Sequence, residues 1–253
     1  MRETSLESPL RTLKLLEAVV RDGAKSSVAA LARETQIPVP SAHRHIAALV
    51  DAGFLSPAGY GRHIAGPKLA ALSGFLDEKL LMANVARPIL DRLAKRMGCV
   101  TQLGIFENDM VTYLVKSGQS AGDLFTKVGM QLEAYCSGIG KVLLAHLPDD
   151  ARSEYLEAGP FIALTERTIT DPDLLGAELQ QVAREGFAVD DEEVVTGLQC
   201  IAVPVRNSKG EVIAAISASR ATQSDHRRWQ ARQLPLLQDA ADEIGVRANI
   251  VLT

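Results

Sequence analysis

The stretch "QIPVPSAHRHIAAL" (36–49) puts a hydroxyl, an imidazole and a guanidinium, those of Ser41, His43 and Arg44, directly behind Pro38 and Pro40. A proline at a helix start costs nothing, because the N–H it lacks would have been unpaired there. Such a start is free to point at a polyanion. Ser41 and the helix amides can hold a phosphate, Arg44 can reach a guanine edge or a phosphate, and His43 either of these. A solvated helix face would use the same residue types, so the surrounding frame has to decide between the two.

A second candidate is "SGIGKVLLAHL" (137–147), whose Gly-x-Gly-Lys invites a phosphate-loop reading. The reading fails: Val142 stands where Ser or Thr should follow Lys141, and no glycine lies five residues before Gly140. The amides at its helix start remain a seat for an anion. The run Asp190, Asp191, Glu192, Glu193 could suggest a metal or paired-carboxylate site, but reads more simply as a solvated loop. No HExxH, GxSxG or Cys-His signature occurs, so nothing supports an enzyme, a metal site or a cofactor. Cys99, Cys136 and Cys200 lie far apart, as reduced thiols of a cytoplasmic protein would.

The elements that would carry these groups can be read from periodicity. Leu10, Leu13, Leu16 and Val20 form a helical stripe behind Ser8 and Pro9. Ser27 caps a second helix with Val28, Leu31 and Ala32 facing inward. A third helix buries Ala42, Ile46, Leu49 and Val50 and stops at Gly53. "FLSPAGYGRHIAG" gives two short extended pieces around Gly59 and Gly61, with Arg62 between them. Three helices and a hairpin within about 65 residues make a winged helix-turn-helix, in which the start of the third helix enters the major groove. This frame favours Ser41, His43, Arg44 and Arg62 as DNA contacts.

Residues 66–97 read as one helical run broken or kinked at Pro88, with Leu69, Leu72, Leu76 and Leu80 along one side. That seam could pair two chains or pack on its own body. From Cys99 onward hairpins dominate. "CVTQLGIF" and "VTYLVK" flank the turn "ENDM", "DLFTKV" is a further strand candidate, and "CIAVPVR-NSKG-EVIAAISAS" is a long hairpin. Helices fall at "GIGKVLLAHL", at "DPDLLGAELQQVAREG" with Asp171 as cap, and at the C-terminus from His226. The pattern is α+β on an antiparallel sheet. If the long hairpin closes symmetrically at Asn207–Gly210, Cys200 faces Ser217 and Leu198 faces Ser219. All four side chains then share one face, a polar spot in an apolar wall such as a small-molecule pocket has.

Charge divides the chain in the same way. Residues 1–70 hold nine Lys/Arg against six Asp/Glu and the rest 18 against 25, within a net charge of −4. Only the N-terminal part is suited to a polyanion. The first residues lack the apolar run of a signal peptide, and no stretch is long enough to span a bilayer, so no membrane partner is expected.

The segments "LARETQIPVPSAHRHIAALVDAGFL", "YCSGIGKVLLAHL", "LTERTITDPDLL", "REGFAVDDEEVVTGLQCIAVPV" and "AAISAS", in this order, resemble the IclR family of bacterial transcription regulators over nearly the whole chain. The resemblance implies a winged helix-turn-helix over 1–67, a linker helix over 68–82 and a GAF-like effector and oligomerisation domain over 83–253. It implies a cytoplasmic homodimer or dimer of dimers on a partly palindromic operator, controlling a catabolic operon in response to a small organic acid. It places the effector site on the amides of Gly138 and Ile139, on Asp190, Cys200, Ser217 and Ser219, and on a wall of Leu124, Leu132 and Leu198. This chain departs from the family pattern at Gln36, where a turn glycine is usual, at Val39 and Pro40, and at His45. Two other readings stay open: a thiol or metal sensor using Cys136 and Cys200, and a small-molecule enzyme on the GAF-like body.

Overall fold

The computed structural model describes residues 4–74, 77–119, 124–223 and 226–252. The chain divides into two compact units, Met1–Asp77 and Glu78–Thr253.

The first unit contains α1 (Thr4–Asp22), α2 (Val28–Glu34), α3 (Val39–Asp51), the two-stranded β1 (Leu55–Pro57) and β2 (His63–Ala65), and α4 (Pro67–Ser73). Ser27 caps α2 by accepting from the Ala30 amide, and Val28, Leu31 and Ala32 are buried as their spacing predicts. Ala42, Ile46 and Leu49 of α3 pack against them, with Val50 half-buried. The stripe expected on α1 is wrong. Leu15 and Val19 are the buried positions, whereas Leu10, Leu13 and Val20 are exposed. The apolar residues of α1 outnumber those one face can hold, so periodicity chose the wrong set. Between α2 and α3 the chain reverses at Gln36, whose φ of +58° lies in the left-handed region. Gly61 ties the wing to the helices, its carbonyl accepting from the Val28 amide.

The expected continuous helix over 66–97 is interrupted earlier than Pro88. Helix α4 ends at Ser73 with Gly74 as its cap, and α5 runs unbroken from Glu78 to Met97 with Pro88 inside it on an exposed position. The linker helix expected over 68–82 is therefore two helices. Leu69 is half-buried, Leu72 and Leu80 are exposed, and Leu76 lies outside the described residues.

The second unit is built on a six-stranded antiparallel sheet of order β5-β4-β3-β8-β7-β6. Its strands are β3 (Val100–Glu107), β4 (Met110–Ser117), β5 (Gln131–Glu133), β6 (Ala188–Asp191), β7 (Leu198–Arg206) and β8 (Val212–Ala221). Asn108 and Asp109, both at positive φ, close β3 onto β4 in the conformation two-residue hairpins prefer. On one face α5 and α9 (His226–Leu252) cover Ile201, Val203, Ile216 and Ala218. On the other, α6 (Gly138–Ala145), α7 (Asp149–Glu157) and α8 (Pro172–Glu185) enclose a second core that includes Ala202 and Ala215. The "DLFTKV" segment forms no strand over its described residues, and β5 begins further on, at Gln131. Asp190 and Asp191, expected in a solvated loop, lie in the edge strand β6, and Asp190 is buried.

The long hairpin departs from the symmetric closure. Asn207 bonds to Glu211 around Ser208, Lys209 and Gly210, and β8 carries an irregularity opposite Val205/Arg206. Cys200 therefore faces Ser219, Ala202 faces Ser217, and Leu198 faces Ala221. The register differs from the expected one by two residues, an even number, so every side chain keeps the face assigned to it.

Candidate functional site

The floor of the site is the face of β7 and β8 that carries Leu198, Cys200 and Ser217. Gln102 of β3 faces Ser217 across the ladder and donates to Thr126 Oγ1 at 2.7 Å. Over this floor stands the first turn of α6. Ser137 caps it by accepting from the Gly140 amide, while the Lys141 amide returns to the Ser137 carbonyl. The amides of Gly138 and Ile139, the first two of the helix, have no intrahelical acceptor. The helix can sit this low because Gly140 has no side chain: a Cβ there would lie 2.1 Å from the Ala134 carbonyl oxygen, whereas one on Gly138 would make ordinary contacts with Ala202 and Cys200 at 3.4 and 3.8 Å.

A narrow cavity of about 20 Å³ lies between these parts, with Leu124, Leu132, Gly138, Ile139, Asp190, Leu198, Cys200 and Ser217 in its lining. Eight of the nine effector positions named from sequence thus converge. Ser219, the ninth, is buried opposite Cys200 but is not part of that lining. Sequence reasoning missed Gln102, Tyr113, Phe125, Thr126, Ser137 and Val194, which share the lining. Gln102 and Tyr113 could have been found by extending the strand alternation to β3 and β4. Thr126 follows from no periodicity, since its segment has none.

Behind the cavity lies an ion network that the sequence does not announce. Lys141 is 1% exposed, and its Nζ donates to Glu193 at 2.6 Å and to Glu178 at 3.1 Å. Burial opposes its charge, but the two carboxylates outweigh that and hold the ammonium above the ordinary lysine range. The Glu193 amide donates to Asp190 Oδ1 at 2.8 Å, linking the network to the cavity wall. Burial pushes Asp190 up to about 6 against the amide bond and the Lys141 charge. It pushes Glu193 up to about 7 against Lys141. Lys141 is a structural cation, not a phosphate ligand.

Burial and the nearby Asp190 also push the Cys136 thiol up to about 12 and Cys200 well above its usual range. Both stay protonated at neutral pH, which removes the nucleophile a thiol sensor uses. Among the described residues no three His, Cys, Asp or Glu side chains converge on a point that could hold a metal.

In the first unit His43, Arg44 and Arg62 are exposed and Ser41 is half-buried at the start of α3, where Arg44 Nη2 reaches Ser41 Oγ at 3.4 Å. His45 plays a different part. It is half-buried, and its Nδ1 lies 2.8 Å from Thr12 Oγ1 of α1, a polar strut between helices.

A helix-turn-helix with a wing in one unit and a polar-floored cavity in the other is the layout of a transcriptional regulator. Family models match both units. The bacterial transcriptional regulator IclR C-terminal domain matches residues 77–246, and the IclR helix-turn-helix domain matches 8–58. The chain belongs to the IclR family of bacterial transcriptional regulators. This IclR-family chain is 30% identical over 245 residues to the Pca regulon regulatory protein of Pseudomonas putida, covering 94% of this chain and 83% of that one. An IclR homolog from Microbacterium hydrocarbonoxydans, solved with 4-hydroxybenzoate, is similar in structure with a TM-score of 0.64 and 28% identity over 96% of this chain and 99% of that one. The inducer-binding domain of PobR from Acinetobacter, solved as a double mutant with 3-hydroxybenzoic acid, is similar with a TM-score of 0.59 and 29% identity over 64% and 96% of the two chains. No described helix of this regulator is long and apolar enough to cross a membrane.

Proposed function

We propose that this regulator binds a partly palindromic operator as a dimer or dimer of dimers and responds to a small monocarboxylate of aromatic or keto-acid type from the catabolic pathway it controls. The observation that carries the reading is the start of α6, whose Gly138 and Ile139 amides have no intrahelical acceptor, in the lining of a cavity that also holds Ser217 and three leucines. Amides at a helix start favour negative charge, so one end of the ligand is anionic. The Ser217 hydroxyl and the Gln102 amide serve a second oxygen, and Leu124, Leu132 and Leu198 receive an apolar body. Asp190, also in the lining, disfavours a second strong anion. The two benzoates held by structural relatives are monocarboxylates with one further oxygen. At about 20 Å³ the space is roughly that of one water, so such a ligand enters only with an outward shift of a wall. Ser41, His43, Arg44 and Arg62 contact the operator in this reading, the first three from the start of α3 and the last from the wing.

The DNA-reading half is tested by enriching genomic fragments on the wild-type chain and titrating the selected site with Arg44→Ala. The exposed guanidinium accounts for about 1–3 kcal/mol of site-specific affinity with the fold unchanged. Equal affinity in a folded variant would remove Arg44 from the contact set.

A further inference from the structure

On the side of the sheet covered by α5 and α9 lies a second, larger cleft of about 610 Å³, lined by Arg96, Arg220, Arg228 and Arg232 together with Trp229 and Gln233. No carboxylate lines it among the described residues, although residues 71–253 as a whole carry seven more acidic than basic side chains. Such a local reversal of sign has to be held together against its own repulsion.

The position of the arginines sharpens the point. Arg96 sits in the last turn of α5, where a cation is favoured by the helix dipole. Arg228 and Arg232 occupy the first two turns of the 27-residue α9, where a cation is disfavoured. They are four residues apart, so the two like charges also share a helix face. Neither they nor Arg96 pair with a described carboxylate. Two features fix the frame around them. Trp229 is buried in the core and holds the Arg220 guanidinium 4.5 Å from its ring centroid. Gln233, only 6% exposed, lines the same cleft with its amide oxygen buried and without a hydrogen-bond partner among the described residues. The two ends of a Gln amide exchange by a half-turn, so this group can offer either a donor or an acceptor to a bound molecule.

We propose that this cleft is a second ligand site, separate from the monocarboxylate cavity, for a small multiply charged anion: a phosphate ester or a polycarboxylate. Guanidinium forks match the oxygens of both groups, and an anion at the start of α9 offsets the arginine repulsion and the helix dipole together. A single negative charge would leave most of the cationic field unbalanced, which sets this site apart from the one under α6.

The test is calorimetric titration of the full chain with inorganic pyrophosphate and, separately, with citrate, at an ionic strength held constant with sodium chloride. Saturable binding of one molecule per chain is expected for at least one probe. Saturation by pyrophosphate alone assigns the site to phosphate esters, by citrate alone to polycarboxylates, and by both to their shared charge. The Arg228→Ala/Arg232→Ala variant, altered only at exposed positions, should melt at or slightly above the wild-type midpoint, since it relieves their repulsion, and bind about tenfold more weakly or worse. Arg96→Gln serves as the second variant, with a loss in the same direction. Gln233→Leu should weaken binding too, which a diffuse cationic surface would not show. Absence of saturable binding by either probe overturns the site, as does undiminished affinity in both arginine variants.

Discussion

Lys141 and Glu193 show how a residue acquires a role that its motif does not suggest. The lysine follows a Gly-x-Gly and the glutamate ends an acidic run, yet the fold buries both and joins them at 2.6 Å. A buried pair of this kind is costly to break, because the remaining charge stays desolvated. Three carboxylates, those of Asp190, Glu193 and Glu178, surround one ammonium, so the network holds a surplus of acid. Asp190 and Glu193 are raised from 3.8 and 4.5 to about 6 and about 7, mainly by burial. The folded chain then binds protons that the unfolded chain has released, so their stabilisation is complete below about pH 4 and is lost as pH rises through 6 to 7. Glu193→Gln should flatten this decline by on the order of 2 kcal/mol between pH 4.5 and 7.5. Denaturant melts across that range check it, and a parallel decline in both proteins would show that Glu193 does not titrate there.

Helix α3 depends on the turn before it, and that turn carries a strained residue. Gln36 occupies the left-handed region at φ +58°, a conformation that costs a residue with a Cβ about 1–2 kcal/mol. Its side chain is exposed and its backbone N–H reaches the Arg33 carbonyl, which a glycine would also do. Gln36→Gly is therefore expected to stabilise the first unit by about 1 kcal/mol, read as a rise in its unfolding midpoint. A fall would mean that the side chain makes a contact worth more than the strain. At this scale much of the fold was legible. The cap at Ser27, the buried positions of α2 and α3, the cap at Asp171 and the faces of β7 and β8 all follow from local pattern and hold in the structure. What was not legible depends on tertiary choice. The exposure of Leu10 and Leu13 depends on which side of α1 meets the other helices, and β6 exists only because β7 is there to pair it. Leu198, Cys200 and Ser217 share the cavity face because strand parity survives an error of two residues, whereas Leu124, Leu132, Gly138, Ile139 and Asp190 were placed by the family resemblance alone. Ser219 falls outside the lining because parity says nothing about distance along the strand.

For the whole molecule the reading divides labour between two compact units, one presenting Arg44 and Arg62, the other enclosing the cavity. A single winged helix-turn-helix offers few base contacts, so two linked heads gain affinity through effective concentration, without a new contact. Sedimentation of the full chain should show a dimer or a dimer of dimers, and a fragment ending at Asp77 should bind a two-half-site operator at least tenfold more weakly. A fragment that matched the full chain would remove the need for pairing. The central claim is that a monocarboxylate binds between the α6 amides and the Ser217 face, and calorimetry tests it most directly. A panel of hydroxybenzoates and short keto-acids titrated into the full chain should yield at least one ligand binding one per chain. Its affinity should fall tenfold or more in Ser217→Ala/Ser219→Ala, while affinity for operator DNA is unchanged. A panel without any binder, or a ligand held with undiminished affinity by the double variant, would contradict the account.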